Sequence, residues 1–293
     1  MKEQRLYLLG HPVSHSRSAV MYNAAYAAAG FPWRYELLDC PTERDARAVL
    51  VGRDFLQVNI TTPYKPLAFA AADERDVTVD LVGGANVLVN RGGRLVAHNT
   101  DGAGCVGFLA REGFRFEDAR VAICGTGPTA LAILTACVNA RAGEVLLLGR
   151  SAERTRAVLE GWRDREADLA GLPGVRLRAS SYAEADVDIP SMDLIVDATP
   201  LGMNEGDPAP FDGALLREGQ WAFDCVYGHG ITAFVAAARD AGCRTYDGAG
   251  MLVGQAVETV RIVERSEGVE TGFSNGALFE LMADAAGFSL DPA

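Results

Sequence analysis

The chain has 293 residues, too many for one ordinary core and enough for two domains, and 49% of them are hydrophobic, which excludes a disordered chain. A formal net charge of -12 argues against nucleic acid and anionic membrane as partners. Any site for an anion must therefore be assembled locally, from hydroxyls, helix starts and single basic residues.

Six cysteines (Cys40, Cys105, Cys124, Cys137, Cys225 and Cys243) form no C-x-x-C pair, and several sit in apolar runs. They read as buried free thiols of a cytoplasmic protein, ahead of disulfides or a metal site. The apolar run after Met1-Lys2-Glu3-Gln4-Arg5 is cut short at Gly10-His11-Pro12, so no signal peptide is expected. No stretch is long and apolar enough to span a bilayer.

In chain order, Leu6-Tyr7-Leu8-Leu9 predicts a buried strand, broken by Gly10-His11-Pro12. An alanine-rich helix follows from Ala19 to Ala29, with Gly30 as its stop. Ser16 and Ser18 stand at its start. Serines there are most often N-cap hydroxyls; the functional alternative is that both hold a carboxylate. Trp33 to Asp39 predicts a second strand, and Thr42-Glu43-Arg44-Asp45 caps a short helix. Phe55 to Ile60 predicts a third strand, ending in Thr61-Thr62-Pro63-Tyr64-Lys65. A lysine past a strand end is usually solvated, but beside Asn59 and Thr61 it is well placed to enter a cleft. Ala85 to Val89 and Leu95 to Ala97 predict a hairpin around Arg91-Gly92-Gly93-Arg94, running on into Asn99-Thr100-Asp101-Gly102-Ala103-Gly104. Alternating strands and helices of this kind predict an α/β domain.

The most informative stretch is Val121-Ala122-Ile123-Cys124-Gly125-Thr126-Gly127-Pro128-Thr129-Ala130. A short apolar strand meets a glycine turn and then a helix-forming run to Arg141. Gly125 permits the tight turn, Gly127 lets the backbone approach a bulky anion, and Ala130 is small enough for close helix–strand packing. These are the three tasks of the G-x-G-x-x-G/A dinucleotide fingerprint, whose helix start faces a pyrophosphate. Val145 to Leu148 predicts the next strand. An NAD site carries an acidic residue at that strand's end, ~20 residues past the glycines. Here Gly149-Arg150-Ser151 stands there, with Arg154 one turn later. Two guanidiniums and a hydroxyl suit a 2′-phosphate; the alternative is a solvated helix start with Ser151 as its cap. Asp193 to Met203 predicts a strand running into a loop, and Ala222 to Tyr227 another buried strand.

Several blocks, in this order and spacing, resemble the shikimate dehydrogenase family. Its G-x-P-V-x-H-S-x-S-P stands here as Gly10 to Ala19, and its N-V-T-x-P-x-K as Asn59 to Lys65. Its G-A-x-N-T and N-T-D-x-x-G blocks are similar to Gly84 to Val87 and Asn99 to Gly104. Its N-R-T-x-x-R is similar to Gly149 to Arg154, and its N-A-T-P-x-G-M to Asp197 to Met203. Its D-x-x-Y stands as Asp224 to Tyr227, and its G-x-x-M-L-x-x-Q-A as Gly248 to Ala256.

The resemblance implies an α/β substrate domain, residues 1–103 and 249–293, and a Rossmann-type NADP domain, residues 104–248, with a cleft between them. It implies reduction of 3-dehydroshikimate to shikimate with NADP(H). A paralogue acting on quinate or an amino analogue is an alternative, and a non-catalytic NADP sensor a more distant one. Lys65 and Asp101 are the implied catalytic pair. Ser16 and Ser18 would hold the substrate carboxylate, Thr61, Asn86 and Asp101 its hydroxyls, and Tyr227 and Gln255 would also reach it. Gly125, Thr126, Gly127, Pro128, Thr129, Arg150, Ser151, Arg154, Thr199, Met203 and Gly248 would hold the cofactor. No metal is expected, and the protein would be a monomer or homodimer. Five positions depart from the family pattern: Ala19 for proline, Tyr22 for histidine, Pro128 for glycine, Gly149 for asparagine and Asp197 for asparagine.

Overall fold

Residues 2–167, 174–290 and 292 are described by the computed structural model. They form two units, Met1–Gly104 with Val253–Ser289 and Cys105–Leu252 with Leu290–Ala293, and each carries one six-stranded sheet.

In the first unit β1 (Gln4–Gly10) is followed by α1 (Ser18–Ala28), β2 (Trp33–Asp39), α2 (Glu43–Gly52) and β3 (Gln57–Ile60). Then come α3 (Lys65–Ala71), β4 (Glu74–Arg75), α4 (Val77–Val82), β5 (Val87–Arg91) and β6 (Arg94–His98). The sheet order is β2-β1-β3-β5-β6-β4. β1 is parallel to β2 and β3, whereas β5 is antiparallel to β3 and β6. Thr42 caps α2 as expected, its side chain accepting from the Asp45 N–H at 3.2 Å. The hairpin turns on Gly92 and Gly93, at φ +60° and +90°, the left-handed values that a two-residue type I′ turn requires.

Topology decides where polar residues gather. The carboxyl ends of β1, β3 and β6 and the amino end of β5 all lie at one edge of the sheet, as the pairs Leu9–Ile60, Asn59–Val87 and Val87–His98 show. Everything from His11 to Ser18, from Thr61 to Lys65, at Asn86 and from Asn99 to Asp101 leaves the sheet at that edge. Gly10 makes the first of these loops possible, since a side chain there would collide with Thr61. Beneath lies a core of Leu9, Val58, Ile60, Leu88 and Ala97, closed by Leu50, Leu67 and Val79. Each large apolar side chain buried in this way is worth ~1.5–3 kcal/mol.

The chain leaves this sheet through α5 (Asp101–Arg111). The second unit is built of β7 (Arg120–Cys124), α6 (Pro128–Asn139), β8 (Glu144–Gly149), α7 (Ala152–Ala167), β9 (Arg176–Ser181), β10 (Leu194–Asp197), β11 (Trp221–Asp224), α8 (Ala233–Asp240) and β12 (Arg244–Tyr246). All its pairings are parallel, and the order is β12-β11-β10-β7-β8-β9. Read from β7 as the first strand, this is the doubly wound 3-2-1-4-5-6 order, whose ligands bind beyond the strands' carboxyl ends where the order reverses. That switch point falls between β7 and β10. The central strands are buried on both faces, with Val121, Ile123, Leu146, Leu147, Ile195 and Val196 all at 0% exposure, as a parallel sheet covered by helices demands.

The C-terminal part adds α9 (Ala249–Glu267) and α10 (Asn275–Ala286), and α10 packs on α1 in the first unit. Among the described residues no helix is long and apolar enough to cross a membrane.

Candidate active site

At the polar edge of the first sheet, Lys65 opens α3 and does not lie in a solvated loop. Its ammonium pairs with the Asp101 carboxylate, and the two side chains are only 17% and 8% exposed. Asp101 is the first residue of α5, where a helix start favours negative charge. Its other oxygen accepts from Asn86 Nδ2 at 2.8 Å, and its N–H donates to Asn99 Oδ1 at 3.1 Å. Asn86 also donates to Thr100 Oγ1 at 3.0 Å and accepts from the Thr100 N–H at 2.8 Å. Asn86 and Thr100 are both 3% exposed, so this lattice is dry and fixes both side chains.

Gln255 is on α9 and is 8% exposed, unlike an ordinary helical glutamine. Glycines bring it in. A side chain on Gly254 would stand 2.6 Å from the Gly104 carbonyl, so α5 and α9 cross with their backbones nearly touching. Gln255 then reaches Thr100 Oγ1, 3.4 Å away. Ser16 and Ser18 are hydrogen-bonded to each other at 3.1 Å, and Ser18 is 3% exposed. Arg17 is the N-cap of α1 and makes no side-chain cap bond; Ser16 Oγ accepts from the Ser18 N–H at 3.2 Å. Ser16 therefore does part of a cap's work, and Ser18 does none. Thr61 is half-buried beside the Gly10 turn.

In the second unit the glycine turn has the expected geometry. Gly125 lies at φ +114°, and a side chain on it would stand 3.0 Å from the Ala198 carbonyl. A side chain on Gly127 would meet nothing within 4 Å, which leaves open space against the turn. Gly127 is the N-cap of α6, makes no side-chain cap bond, and is followed by Pro128. Proline suits that position but removes one N–H donor. Thr126 lies between the two glycines, and Thr129 is in the helix's first turn.

Arg150 and Arg154 are exposed at the start of α7, and their guanidiniums make no hydrogen bond or ion pair among the described residues. Ser151 Oγ accepts from the Arg154 N–H at 3.4 Å, so Ser151 is also the cap of this helix. After β10 the Thr199 hydroxyl accepts from the Leu201 N–H at 3.2 Å, and Asp207 holds the Gly202 and Asn204 N–H groups at 3.0 Å each. Those bonds hold the Asp207 carboxyl below its usual range and order the loop that carries Met203, itself 45% exposed. Tyr227 lies three residues past β11 and is half-buried. Gly248 packs directly on the Cys225 carbonyl, a contact that any side chain would break. A cavity of about 490 Å³ opens at the other edge of this sheet, by Arg120, Asp193 and Trp221. Of the arginines that line it, Arg120 is held by Asp193 and Arg217 by the Ala214 and Leu216 carbonyls.

Residues 8–88 match the model of the shikimate dehydrogenase substrate binding domain. A shikimate dehydrogenase (NADP(+)) from Rubrobacter xylanophilus is 39% identical over 87% of this chain and 88% of its own length. The chain belongs to the shikimate dehydrogenase family. A Moorella thermoacetica member is 35% identical over 85% of this chain and 83% of its own. Among solved structures, the Thermus thermophilus shikimate 5-dehydrogenase, in complex with NADP(H) and shikimate, superposes with a TM-score of 0.79. It shares 27% identity over 96% of this chain and 99% of the other.

Against the family pattern, two departures have a packing cause. Gly149 replaces asparagine because a side chain there would collide with the Thr155 hydroxyl, which is tied back to the Ser151 carbonyl at 2.8 Å. Tyr22 replaces histidine and is absorbed into an aromatic core, its ring parallel to that of Tyr35 with centroids 4.3 Å apart. Tyr35 in turn donates to Asn59 at 2.8 Å. Nothing in the structure explains Ala19. Asn99 and Thr100 complete the lattice around Asp101, although the sequence reading assigned them no role. Their signal was three consecutive polar residues directly after a buried strand.

Proposed function

We propose that this chain reduces 3-dehydroshikimate to shikimate with NADPH and catalyses the reverse reaction with NADP+. The observation that carries the reading is the Lys65–Asp101 pair, nearly buried, braced by Asn86, and standing at the sheet edge where Ser16, Ser18 and Thr61 also emerge.

The ring's carboxylate is assigned to the Ser16 and Ser18 hydroxyls. Its hydroxyls are assigned to Thr61, Asn86 and Asp101, with further hydrogen bonds from Gln255 and Tyr227. Reduction of a ring ketone leaves an alkoxide that needs a proton, and oxidation must remove the same proton. One pair beside that oxygen serves both directions. Lys65 holds that proton at Nζ, and Asp101 fixes the ammonium's position and charge.

The residues of the second unit fit a phosphorylated dinucleotide. The open space at Gly127 and the uncapped start of α6 suit a pyrophosphate. Arg150, Ser151 and Arg154 suit a 2′-phosphate, and no carboxylate stands at the end of β8 to exclude one. Thr199, Met203 and Gly248 are assigned to the same ligand. When bound, it supplies the hydride; the protein supplies orientation and the proton. The six cysteines are all free thiols, which supports a cytoplasmic setting.

The test is a steady-state comparison of shikimate and quinate, each with NADP+ and NAD+. The reading requires the highest kcat/KM for shikimate with NADP+. A higher value for quinate would move the assignment to a paralogous dehydrogenase. Tight NADP+ binding without turnover of either acid would make the chain a sensor.

A further inference from the structure

Two carboxyl groups stand side by side at the carboxyl ends of adjacent strands of the second sheet, one of them bordering the switch point. Asp197 ends β10 and Asp224 ends β11; they are register partners, and both are 0% exposed. Their hydrogen bonding is unequal. Asp224 has both oxygens occupied, by the Val226 N–H at 2.9 Å and the Thr232 hydroxyl at 2.6 Å. Asp197 accepts from the Thr199 N–H at 2.9 Å through Oδ1, while its buried Oδ2 has no hydrogen-bond partner among the described residues. Two adjacent buried carboxylates do not readily both ionise, and the proton goes to the one less well solvated by donors.

The surroundings favour the same choice. Burial, helped by the neighbouring Asp224, pushes the Asp197 carboxyl up to about 7 against the opposing influence of the nearby Thr199 hydroxyl and of the Thr199 N–H bond. Cys124 on β7 and Tyr182 after β9 also face it, and burial raises both. Arg150 acts on Tyr182, and Asp247 on Asp224. None of the groups acting on Asp197 among the described residues is a cation.

The peptide that follows Asp197 is the one on which the glycine turn rests. The Ala198 N–H donates to the Cys124 carbonyl at 2.9 Å, and the Ala198 carbonyl lies against Gly125. We propose that Asp197 is a positioning residue for the dinucleotide: as the neutral acid it holds the Ala198–Thr199 peptide against the Gly125 turn, and binding of the dinucleotide's phosphates is coupled to uptake of a proton there. An ionised Asp197 would put a buried negative charge behind a turn that must receive an anion. Linkage makes the coupling reciprocal, so the ligand that prefers the neutral acid also raises its proton affinity.

This inference rests on the reading that the chain binds NADP(H), and the experiment separates the two. Asp197→Asn keeps the shape and the acceptor for Thr199 but cannot titrate. NADP+ and NAD+ are titrated into both proteins by calorimetry at about pH 7.5, in two buffers of different ionisation enthalpy, and affinities are followed from about pH 6 to 9. NAD+ is included because the 2′-phosphate of NADP+ titrates in its own right. The parent should take up protons with both ligands, and its affinity should fall about tenfold more than the variant's towards high pH, the consequence of a one-unit shift on binding. The variant should show no uptake with NAD+. Equal uptake and parallel profiles in the two proteins would overturn the inference and leave the cofactor assignment standing. Absence of NADP+ binding to the parent would overturn both.

Discussion

Replacing Lys65 tests the catalytic assignment and its structural cost together. The Lys65 side chain is 17% exposed and its partner Asp101 8%, so Lys65→Ala leaves a nearly buried carboxylate without its counter-charge. Removing one partner of a buried pair costs ~3–5 kcal/mol. Asp101 keeps its 2.8 Å bond from Asn86 Nδ2 and its place at a helix start, so the low end, ~3 kcal/mol, is expected here. A domain with ~5–15 kcal/mol to lose remains folded, and urea unfolding measures the loss. On the same preparation kcat should fall ~10²–10⁴-fold, the range for a lost general acid–base. NADPH affinity should be unchanged. Lys65→Met, which keeps the volume, should share the kinetic defect. A kcat within a few fold of the parent, with the stability loss present, would make Lys65 a structural ion-pair partner and refute its role in proton transfer.

Arg150→Ala should raise the KM for NADP+ about tenfold, as one exposed charge-assisted phosphate contact is worth ~1.5 kcal/mol, and leave that for NAD+ unchanged; equal losses would show that Arg150 does not read the 2′-phosphate. Ser18→Ala should weaken binding of the acid by ~1–3 kcal/mol with little change in melting temperature, because Ser18 caps nothing; a lower melting temperature with an unchanged KM would reverse that assignment. Asp197→Asn should stabilise the protein in a pH-dependent way. The parent's carboxyl titrates near 7 when folded and at ~3.9 when unfolded, so the folded state holds the extra proton between these values. Parental stability contributed by this group is therefore present below pH ~4 and lost as pH rises to 7, by ~2–4 kcal/mol. The gap in melting temperature between the two proteins should widen across that window and stay constant above it. A gap independent of pH would place the Asp197 carboxyl in its ordinary range.

What could be read from the sequence was whatever local chemistry determines. Gly125 and Gly127 between an apolar strand and a helix, the Gly92-Gly93 turn, and Thr42 three residues before Asp45 each carry their own geometric reason. Elements with weak local signals were not anticipated. β9 is the edge strand of its sheet and reads Arg-Leu-Arg-Ala-Ser-Ser, and β4 has only two residues. α3 is seven residues long and begins inside what reads as a loop. The candidate site depends on distant residues. Lys65 and Asp101 are 36 positions apart, and no periodicity links them; the family resemblance supplied the pair, and the shared sheet edge explains it. Burial of Gln255 depends on Gly104 and Gly254, whose importance shows only where α5 meets α9. Asp197 was visible as a substitution, but its unpartnered oxygen beside Asp224 exists only in the folded sheet.

The most direct measurement of the central claim is product identification in a closed reaction. 3-Dehydroshikimate is mixed with a limiting amount of NADPH and the protein, reduced nicotinamide is followed by absorbance, and the products are assigned by NMR. The account predicts one shikimate formed for each NADPH consumed, with NADH much slower at the same concentration. NADPH that binds to the protein yet is not consumed, or is consumed without shikimate appearing, would contradict it.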